Sequence, residues 1–184
     1  GPLLAIHPGA RWLTKRWPVE KFAVVACKAM RIWDFATVIL GSAAEKKICD
    51  HLETLLRRFV PSKTVMNLAG ETSLKQLATT LCVSDVLLTN DTGPMHLAAG
   101  LGTPVLGLFT CTSPERSGPP GDQHELVATQ VECAASYQKK CPINGINHLQ
   151  CMEELETSRV IRALVDLMAK QNVGRGKLVR ARAA

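Results

Sequence analysis

The chain has 184 residues, a formal net charge of +6, 46% hydrophobic residues and 21% charged residues. This profile excludes an intrinsically disordered chain, a collagen-like repeat and a membrane bundle. No apolar run approaches the roughly 20 residues that a transmembrane helix requires, and the first residues lack the features of a signal peptide. Aromatic residues make up only 4%, too few for a base-stacking surface. We therefore expect a cytoplasmic protein with no nucleic-acid partner.

The positive charge is concentrated at the carboxyl end. Five basic residues and no acidic residue occur from residue 170 onward, and removing them lowers the net charge from +6 to +1. We predict one domain over residues 1–170 and a basic, flexible tail over residues 171–184. Such a tail either keeps a protein soluble or meets an anionic membrane surface.

Short apolar runs rich in Val, Ile and Leu alternate with longer segments of helical period. The predicted strands cover residues 3–7, 37–41, 64–68, 86–90, 104–109 and 125–129. The predicted helices cover residues 19–32, 44–59, 73–83, 94–101 and 152–169. Strands that are apolar throughout are typical of parallel sheets covered on both faces. The alternation therefore predicts an α/β fold with a Rossmann-like, doubly wound parallel sheet, in which ligands bind at the carboxyl ends of the strands.

Polar clusters follow three of the predicted strands. Residues 7–18 contain a Pro-Gly turn followed by Thr14, Lys15 and arginines, which can donate hydrogen bonds to an anion or form a solvated basic loop. Glu45 follows the second strand, where a carboxylate can accept from ribose hydroxyls or favour the start of a helix. In the third and most specific cluster, a strand ends in Asp-Thr-Gly at residues 91–93 and a helix begins at once. The amides of Thr92 and Gly93 would then point at an anion.

The seven cysteines are an odd number without an export signal, which argues against a disulfide framework. The three earlier cysteines, expected to be buried small hydrophobic residues, are Cys27, Cys49 and Cys82. Cys133, Cys141 and Cys151 lie 8 and 10 residues apart, which is not a usual zinc spacing even with His148 as a fourth ligand. We expect reduced thiols in a structural loop and no metal site.

The remaining histidines and tryptophans have less specific surroundings in the sequence. His7, His51 and His124 have no identifiable partner, so we expect them to be structural or solvated. Trp12 and Trp17 either cover a cleft at the edge of the sheet or pack in the core.

One family contains all three polar clusters in this order. The matching segments lie at residues 7–10, 15–18, 41–45, 67–74, 90–96, 102–104, 108–110, 133, 141–142 and 151–152. Through them the chain resembles the carboxyl-terminal half of glycosyltransferase family 9, the ADP-heptose:lipopolysaccharide heptosyltransferases, over about residues 3–168. Within that family the pattern is most similar to the heptosyltransferase II type.

The resemblance implies the donor-binding half of a GT-B glycosyltransferase, in which two Rossmann-like domains face each other across a cleft. The residues that it assigns to donor binding are Ala10, Arg11, Lys15, Glu45, Thr72, Asp91, Thr92, Gly93 and His96. In this assignment Thr72 lies at the adenine pocket, and His96 supports the loop that precedes it.

The remaining roles follow the parts of the donor. The resemblance implies that Lys15 neutralises the diphosphate and that Glu45 holds the ribose. It also implies that Asp91 accepts hydrogen bonds from heptose hydroxyls, while the amides of Thr92 and Gly93 bind phosphate. No Asp-x-Asp motif occurs, so we expect no metal and no other cofactor.

The implied substrates are ADP-L-glycero-D-manno-heptose and a lipid A–core acceptor at the inner face of the inner membrane. The family's amino-terminal domain supplies the acceptor site and the general base, and these residues do not match it. We therefore expect no catalytic residue here, and donor binding with little or no transfer by this chain alone. Alternatives are a GT-B domain that uses a UDP- or GDP-sugar, a non-catalytic nucleotide-binding module, and a membrane-surface adaptor.

Overall fold

The computed structural model describes residues 1–171. Within them the strands are β1 (Leu3–His7), β2 (Ala36–Ile39), β3 (Val65–Asn67), β4 (Val86–Asn90), β5 (Val105–Phe109) and β6 (Glu125–Ala128). The helices are α1 (Val19–Trp33), α2 (Lys46–Phe59), α3 (Leu74–Cys82), α4 (Gly93–Gly100), α5 (Pro114–Ser117), α6 (Gln150–Glu154) and α7 (Thr157–Lys170). Short 3-10 helices occur at Leu13–Lys15, Ala43–Glu45 and Gly145–Asn147. Apart from Gln171, the predicted basic tail lies outside the described residues, and the domain boundary stays a prediction.

The six strands form one sheet in the order β3-β2-β1-β4-β5-β6, and every neighbouring pair is parallel. This confirms the predicted doubly wound α/β fold. The chain first adds strands on one side of β1 and then continues from β4 on its other side. A crevice opens at such a reversal, outside the carboxyl ends of the strands. The loops after β1 and β4 border that crevice.

Two hydrophobic cores cover the two faces of the sheet. Leu4 and Ile6 of β1 pack into one core with α1, α2 and α7, whereas Ala5 between them packs into the other with α3 and α4. Side chains of a strand point alternately to opposite faces, so one short apolar run serves both cores. No helix within residues 1–171 combines the length and the apolar character that a membrane crossing requires.

The prediction of one final helix over residues 152–169 was wrong. The chain forms α6 and α7 instead, with a break at Leu155. The Leu155 side chain is fully buried, and its carbonyl accepts a 2.9 Å hydrogen bond from Nε1 of Trp17. The backbone of Leu155 leaves the helical conformation while the apolar spacing continues, so the sequence pattern does not reveal the break.

Two further expectations need correction. Cys82 is exposed at the end of α3, whereas Cys27 and Cys49 are buried as predicted. The tryptophans separate, because Trp17 is fully buried and makes an edge-to-face contact with Phe22, with ring centres 5.3 Å apart. Trp12 lies instead in the loop after β1, at the crevice.

Asn90 fastens the ends of β1 and β4 together. Its fully buried side chain accepts from the backbone amide of Trp17 at 3.1 Å. It also donates to the carbonyl oxygens of Pro8 at 2.9 Å and Gly9 at 3.2 Å. Three backbone groups of the β1 loop therefore depend on one side chain, which fixes the loop against the end of β4.

We predict that Asn90→Ala lowers the free energy of unfolding by about 2–4 kcal/mol, because it leaves buried backbone groups without partners. Urea denaturation of the 184-residue chain measures this. Asn144→Ala, in an exposed loop, is the matched control and should change stability by less than about 0.5 kcal/mol. Equal effects of the two substitutions would contradict the role assigned to Asn90.

Candidate functional site

A cavity of about 600 Å³ occupies the crevice at the carboxyl ends of β1, β2 and β4. The structure places eight of the nine predicted site residues along its wall. They are Ala10, Arg11, Lys15, Glu45, Thr72, Asp91, Thr92 and Gly93. His96 is not a wall residue of this cavity. It lies in α4, half exposed, with Nε2 at 3.9 Å from Oδ1 of Asp91.

An ion pair joins the loops after β1 and β4. Nζ of Lys15 lies 2.7 Å from Oδ2 of Asp91 and 3.3 Å from the Asp91 carbonyl oxygen. The Asp91 side chain is only 5% exposed, so its charge needs a partner. Lys15 also lies 4.8 Å from the ring centre of Trp12. The cavity therefore presents a cation that a buried carboxylate and an indole hold in position.

The amino end of α4 opens onto the same cavity. Thr92 precedes the helix in an extended conformation and its side chain does not cap it. Pro94 occupies the first turn, where a missing amide hydrogen costs nothing. Thr92 and Gly93 line the cavity, so the positive end of the helix dipole and backbone donors are available to an anion beside Lys15.

Glu45 also lines the cavity, and two residues hold its carboxylate in place. Its Oε2 accepts from the amide of Ser42 at 2.9 Å and from the Ser42 hydroxyl at 2.7 Å. Nε2 of His7 lies 3.6 Å from the same oxygen. The His7 ring, together with the Ser42 donors, lowers the pKa of Glu45 to about 2 although partial burial opposes this. Glu45 is thus a fixed anion at neutral pH.

The sequence interpretation missed the contribution of His7, which is 95% buried and pairs with Glu45 rather than standing alone. The available signal was the position of His7 at the end of β1, next to β2 in the sheet. His51 and His124 agree better with expectation, since His51 pairs with Glu20 at the surface and buried His124 accepts from the amide of Val105.

Gly9 makes the position of Glu45 possible. A methyl group added at residue 9 would overlap the Glu45 carboxylate, and its nearest atom would be Oε1. Ser42 and His7 both act on Oε2, whereas Oε1 lies against Gly9.

The far wall of the cavity is apolar. Leu74 and Leu77 of α3 line it with Pro94, next to Thr72 and Ser73. Leu74 is 74% exposed, so its side chain is available to pack against an apolar part of a ligand. The sequence reasoning placed Thr72 here but not the two leucines.

The late cysteines form a separate cluster behind the site. Cys111, Cys133, Cys141 and Cys151 border a cavity of about 20 Å³, and all are free thiols. Burial, with a smaller contribution from the neighbouring thiols, raises the pKa of Cys151 to about 11. No group of three or more potential ligands within residues 1–171 is arranged to hold a metal. The absence of a metal cofactor stays a prediction.

We predict that Gly9→Ala displaces Glu45 and raises its pKa from about 2 toward the ordinary value of about 4.3. Carboxyl NMR titration measures this. Because the folded pKa lies below the unfolded one, the associated stability is present above about pH 4.3 and is lost as the pH falls toward 2. At pH 7 the loss of this pH-dependent contribution should lower the free energy of unfolding of Gly9→Ala by about 1–2 kcal/mol.

Gly93→Ala is the control, because a methyl group at residue 93 would meet no atom within 4 Å. It should leave the pKa of Glu45 unchanged. A Gly9→Ala variant that retains the low pKa would show that Glu45 does not depend on this close approach.

The comparisons with known proteins agree on one family. Residues 1–147 match glycosyltransferase family 9 (heptosyltransferase). The chain is 29% identical to lipooligosaccharide heptosyltransferase 2 of Campylobacter jejuni over 174 residues, which is 93% of this chain and 52% of that protein. It is 35% identical to the lipopolysaccharide core heptosyltransferase OpsX of Haemophilus influenzae over 133 residues, covering 71% of this chain and 37% of that protein. The chain spans about half the length of the curated relatives it matches.

Solved structures give the same result. ADP-heptose lipopolysaccharide heptosyltransferase II of E. coli is 25% identical with a TM-score of 0.74, over 93% of this chain and 47% of that one. E. coli heptosyltransferase WaaC, solved with ADP, has a TM-score of 0.65 at 18% identity over 91% of this chain and 44% of that one, which shows the fold alone. These neighbours confirm the expected GT-B type of fold. The chain therefore belongs to glycosyltransferase family 9, the heptosyltransferases.

Proposed function

We propose that this chain is the donor-binding half of a heptosyltransferase of lipopolysaccharide inner-core biosynthesis. The donor would be ADP-heptose and the acceptor a lipid A–core glycolipid. The observation that carries the proposal is one cavity that combines the Lys15–Asp91 ion pair, the amino end of α4 and the fixed carboxylate of Glu45. A nucleotide sugar presents the matching chemistry, namely a diphosphate, hydroxyl groups and a flat base.

The diphosphate belongs beside Lys15 and the first turn of α4. The Lys15 ammonium, the amides of Thr92 and Gly93 and the wall residues Ala10 and Arg11 lie together there. Transfer breaks the bond between the anomeric carbon and the diphosphate oxygen and leaves negative charge on the diphosphate. Fixed donors and a cation at this position stabilise that charge without a metal ion, so we propose metal-independent transfer.

The nucleoside fits the opposite side of the cavity. The free Oε1 of Glu45 would accept from ribose hydroxyls, since Ser42 and His7 hold Oε2. The adenine ring would lie against Leu74 and Leu77 near Thr72, which covers their exposed apolar surface.

The sugar would lie above Asp91. Its Oδ2 accepts from Lys15, whereas Oδ1 faces His96 at 3.9 Å and can accept from heptose hydroxyls. His96 would then steady this carboxylate rather than contact the nucleotide. We propose that the general base and the acceptor site lie in the other half of such a transferase, since the relatives are about twice as long as the matched region. Such an enzyme would act in the cytoplasm at the inner face of the inner membrane, where its acceptor lies.

The base preference is tested by calorimetric titration of the 184-residue chain with ADP, UDP and GDP. We expect ADP to bind about tenfold more tightly than the other two, the scale of one well-made hydrogen bond in the base pocket. A preference for UDP or GDP would retain the fold and change the donor. No binding of any of the three would contradict the assignment of this cavity to a nucleotide.

Substitutions of Lys15 and Asp91 should change the binding of ADP and ADP-heptose in different ways. We expect Lys15→Ala to weaken ADP binding by about 1–3 kcal/mol, the scale of a charged hydrogen bond. Asp91→Asn removes the internal competitor for Lys15, so ADP affinity should be kept or improved while the preference for ADP-heptose over ADP falls. Titration of each variant with both ligands measures this, and Lys75→Ala on the exposed side of α3 is the control. Loss of ADP binding in Asp91→Asn would contradict the sugar-binding role.

A further inference from the structure

We propose that Lys139 provides a second cation, in addition to Lys15, for the diphosphate of the donor. Its ammonium group lies against the ring of Trp12, which lines the cavity. The inference rests on the proposed donor site and adds a residue from the cysteine-bearing loop, defined here as residues 129–149. It does not depend on which base the nucleotide carries.

The first reason is the charge balance of the cavity. Its charged wall residues, histidine aside, are two cations, Arg11 and Lys15, and two anions, Glu45 and Asp91. Glu45 is ionised because its pKa is about 2, and Asp91 is ion-paired with Lys15. The four charged side chains therefore balance, and the amino end of α4 is the remaining positive contribution of the wall to a diphosphate. Cleavage of the sugar bond adds further negative charge there, so a cation from outside the wall would favour both binding and transfer.

The second reason is that the cysteine-bearing loop is fastened to the site loop. The Thr14 hydroxyl donates to the Gln138 carbonyl at 2.8 Å, and the Thr110 hydroxyl donates to the Thr14 carbonyl at 2.6 Å. The Tyr137 amide donates to the Cys111 carbonyl at 2.7 Å. These bonds fix the backbone directly before Lys139, so the position of this residue next to the cavity is set by buried and half-buried contacts.

The third reason is the position of the Lys139 ammonium. It lies 5.5 Å from the ring centre of Trp12, and the Lys15 ammonium lies 4.8 Å from the same centre. Trp12 is itself a wall residue. Lys139 and the cation assigned to the diphosphate therefore lie against the same indole ring.

The fourth reason is that Lys139 has no acidic partner among the described residues. Within residues 1–171 it forms no ion pair, and no Asp or Glu occurs from residue 133 to residue 152. A cation on an exposed aromatic face is held weakly, and the lysine stem is flexible. When a diphosphate enters beside Lys15, the Lys139 ammonium can leave the indole for the anion without breaking an ion pair.

The test compares the full 184-residue chain with Lys139→Ala and Lys140→Ala, titrated with ADP, AMP and adenosine. Lys140 is the matched control, because it is the adjacent lysine and is also exposed, and the indole contact described for Trp12 is made by Lys139. We expect Lys139→Ala to weaken ADP binding about fivefold, AMP binding less and adenosine binding not at all. Lys139→Arg should restore ADP binding, and the ADP effect should shrink as salt is raised from 0.05 to about 0.5 M.

Equal ADP affinities of Lys139→Ala and Lys140→Ala would overturn the inference. A loss of adenosine binding as large as that of ADP would also overturn it, because it would show that Lys139 only supports the loop. A wild-type preference for UDP or GDP contradicts the proposed donor but leaves the inference standing, since the comparison is then made on that nucleotide and its monophosphate and nucleoside. A chain that binds no nucleoside diphosphate contradicts both.

Discussion

The ion pair between Lys15 and Asp91 is the interaction on which the candidate site depends. The two residues are 76 positions apart in sequence, yet the strand order places β1 and β4 side by side, so the loops that follow them meet. A buried carboxylate at the end of β4 would be costly alone. Lys15, the partner of this carboxylate, fixes the loop after β1, and Asn90 binds the backbone of the same loop. Together these contacts hold the loop that carries Trp12 beside the amino end of α4, and both line one cavity.

The site is largely preorganised, because its charged groups already have partners. Ser42 and His7 hold Glu45, and Lys15 holds Asp91. Ligand binding at such a site exchanges one set of partners for another, so the gain from each new contact is reduced by the contact it replaces. In the proposed complex a diphosphate would compete with Asp91 for Lys15, whereas a ribose hydroxyl would use the Glu45 oxygen that Ser42 and His7 do not hold. A cation outside the cavity wall, such as Lys139, would therefore contribute more to the binding of a diphosphate than its distance from the cavity suggests.

Local patterns predict the strands and most helices, because each parallel strand is a short apolar run that serves both cores. The same reasoning places Lys15, Glu45 and Asp91 at one edge, since the carboxyl ends of parallel strands share it. It fails where a distant partner decides the geometry. The break at Leu155 depends on Trp17, 138 residues away, and the pairing of His7 with Glu45 needs the adjacency of β1 and β2. Neither partner changes the local apolar spacing from which the helices and strands are predicted.

Two buried cysteines, Cys111 after β5 and Cys151 in α6, border a small cavity together with Cys133 and Cys141 of the cysteine-bearing loop. Burial raises the pKa of Cys111 and of Cys151, the latter to about 11, so these thiols stay protonated at neutral pH. Thiolates in their place would set negative charge behind Lys15 and oppose an entering diphosphate. The same burial makes these two thiols poor nucleophiles, because the reactive form is the thiolate. Cys111 and Cys151 thus act as neutral packing beside the loop, whose Lys139 lies against the ring of Trp12.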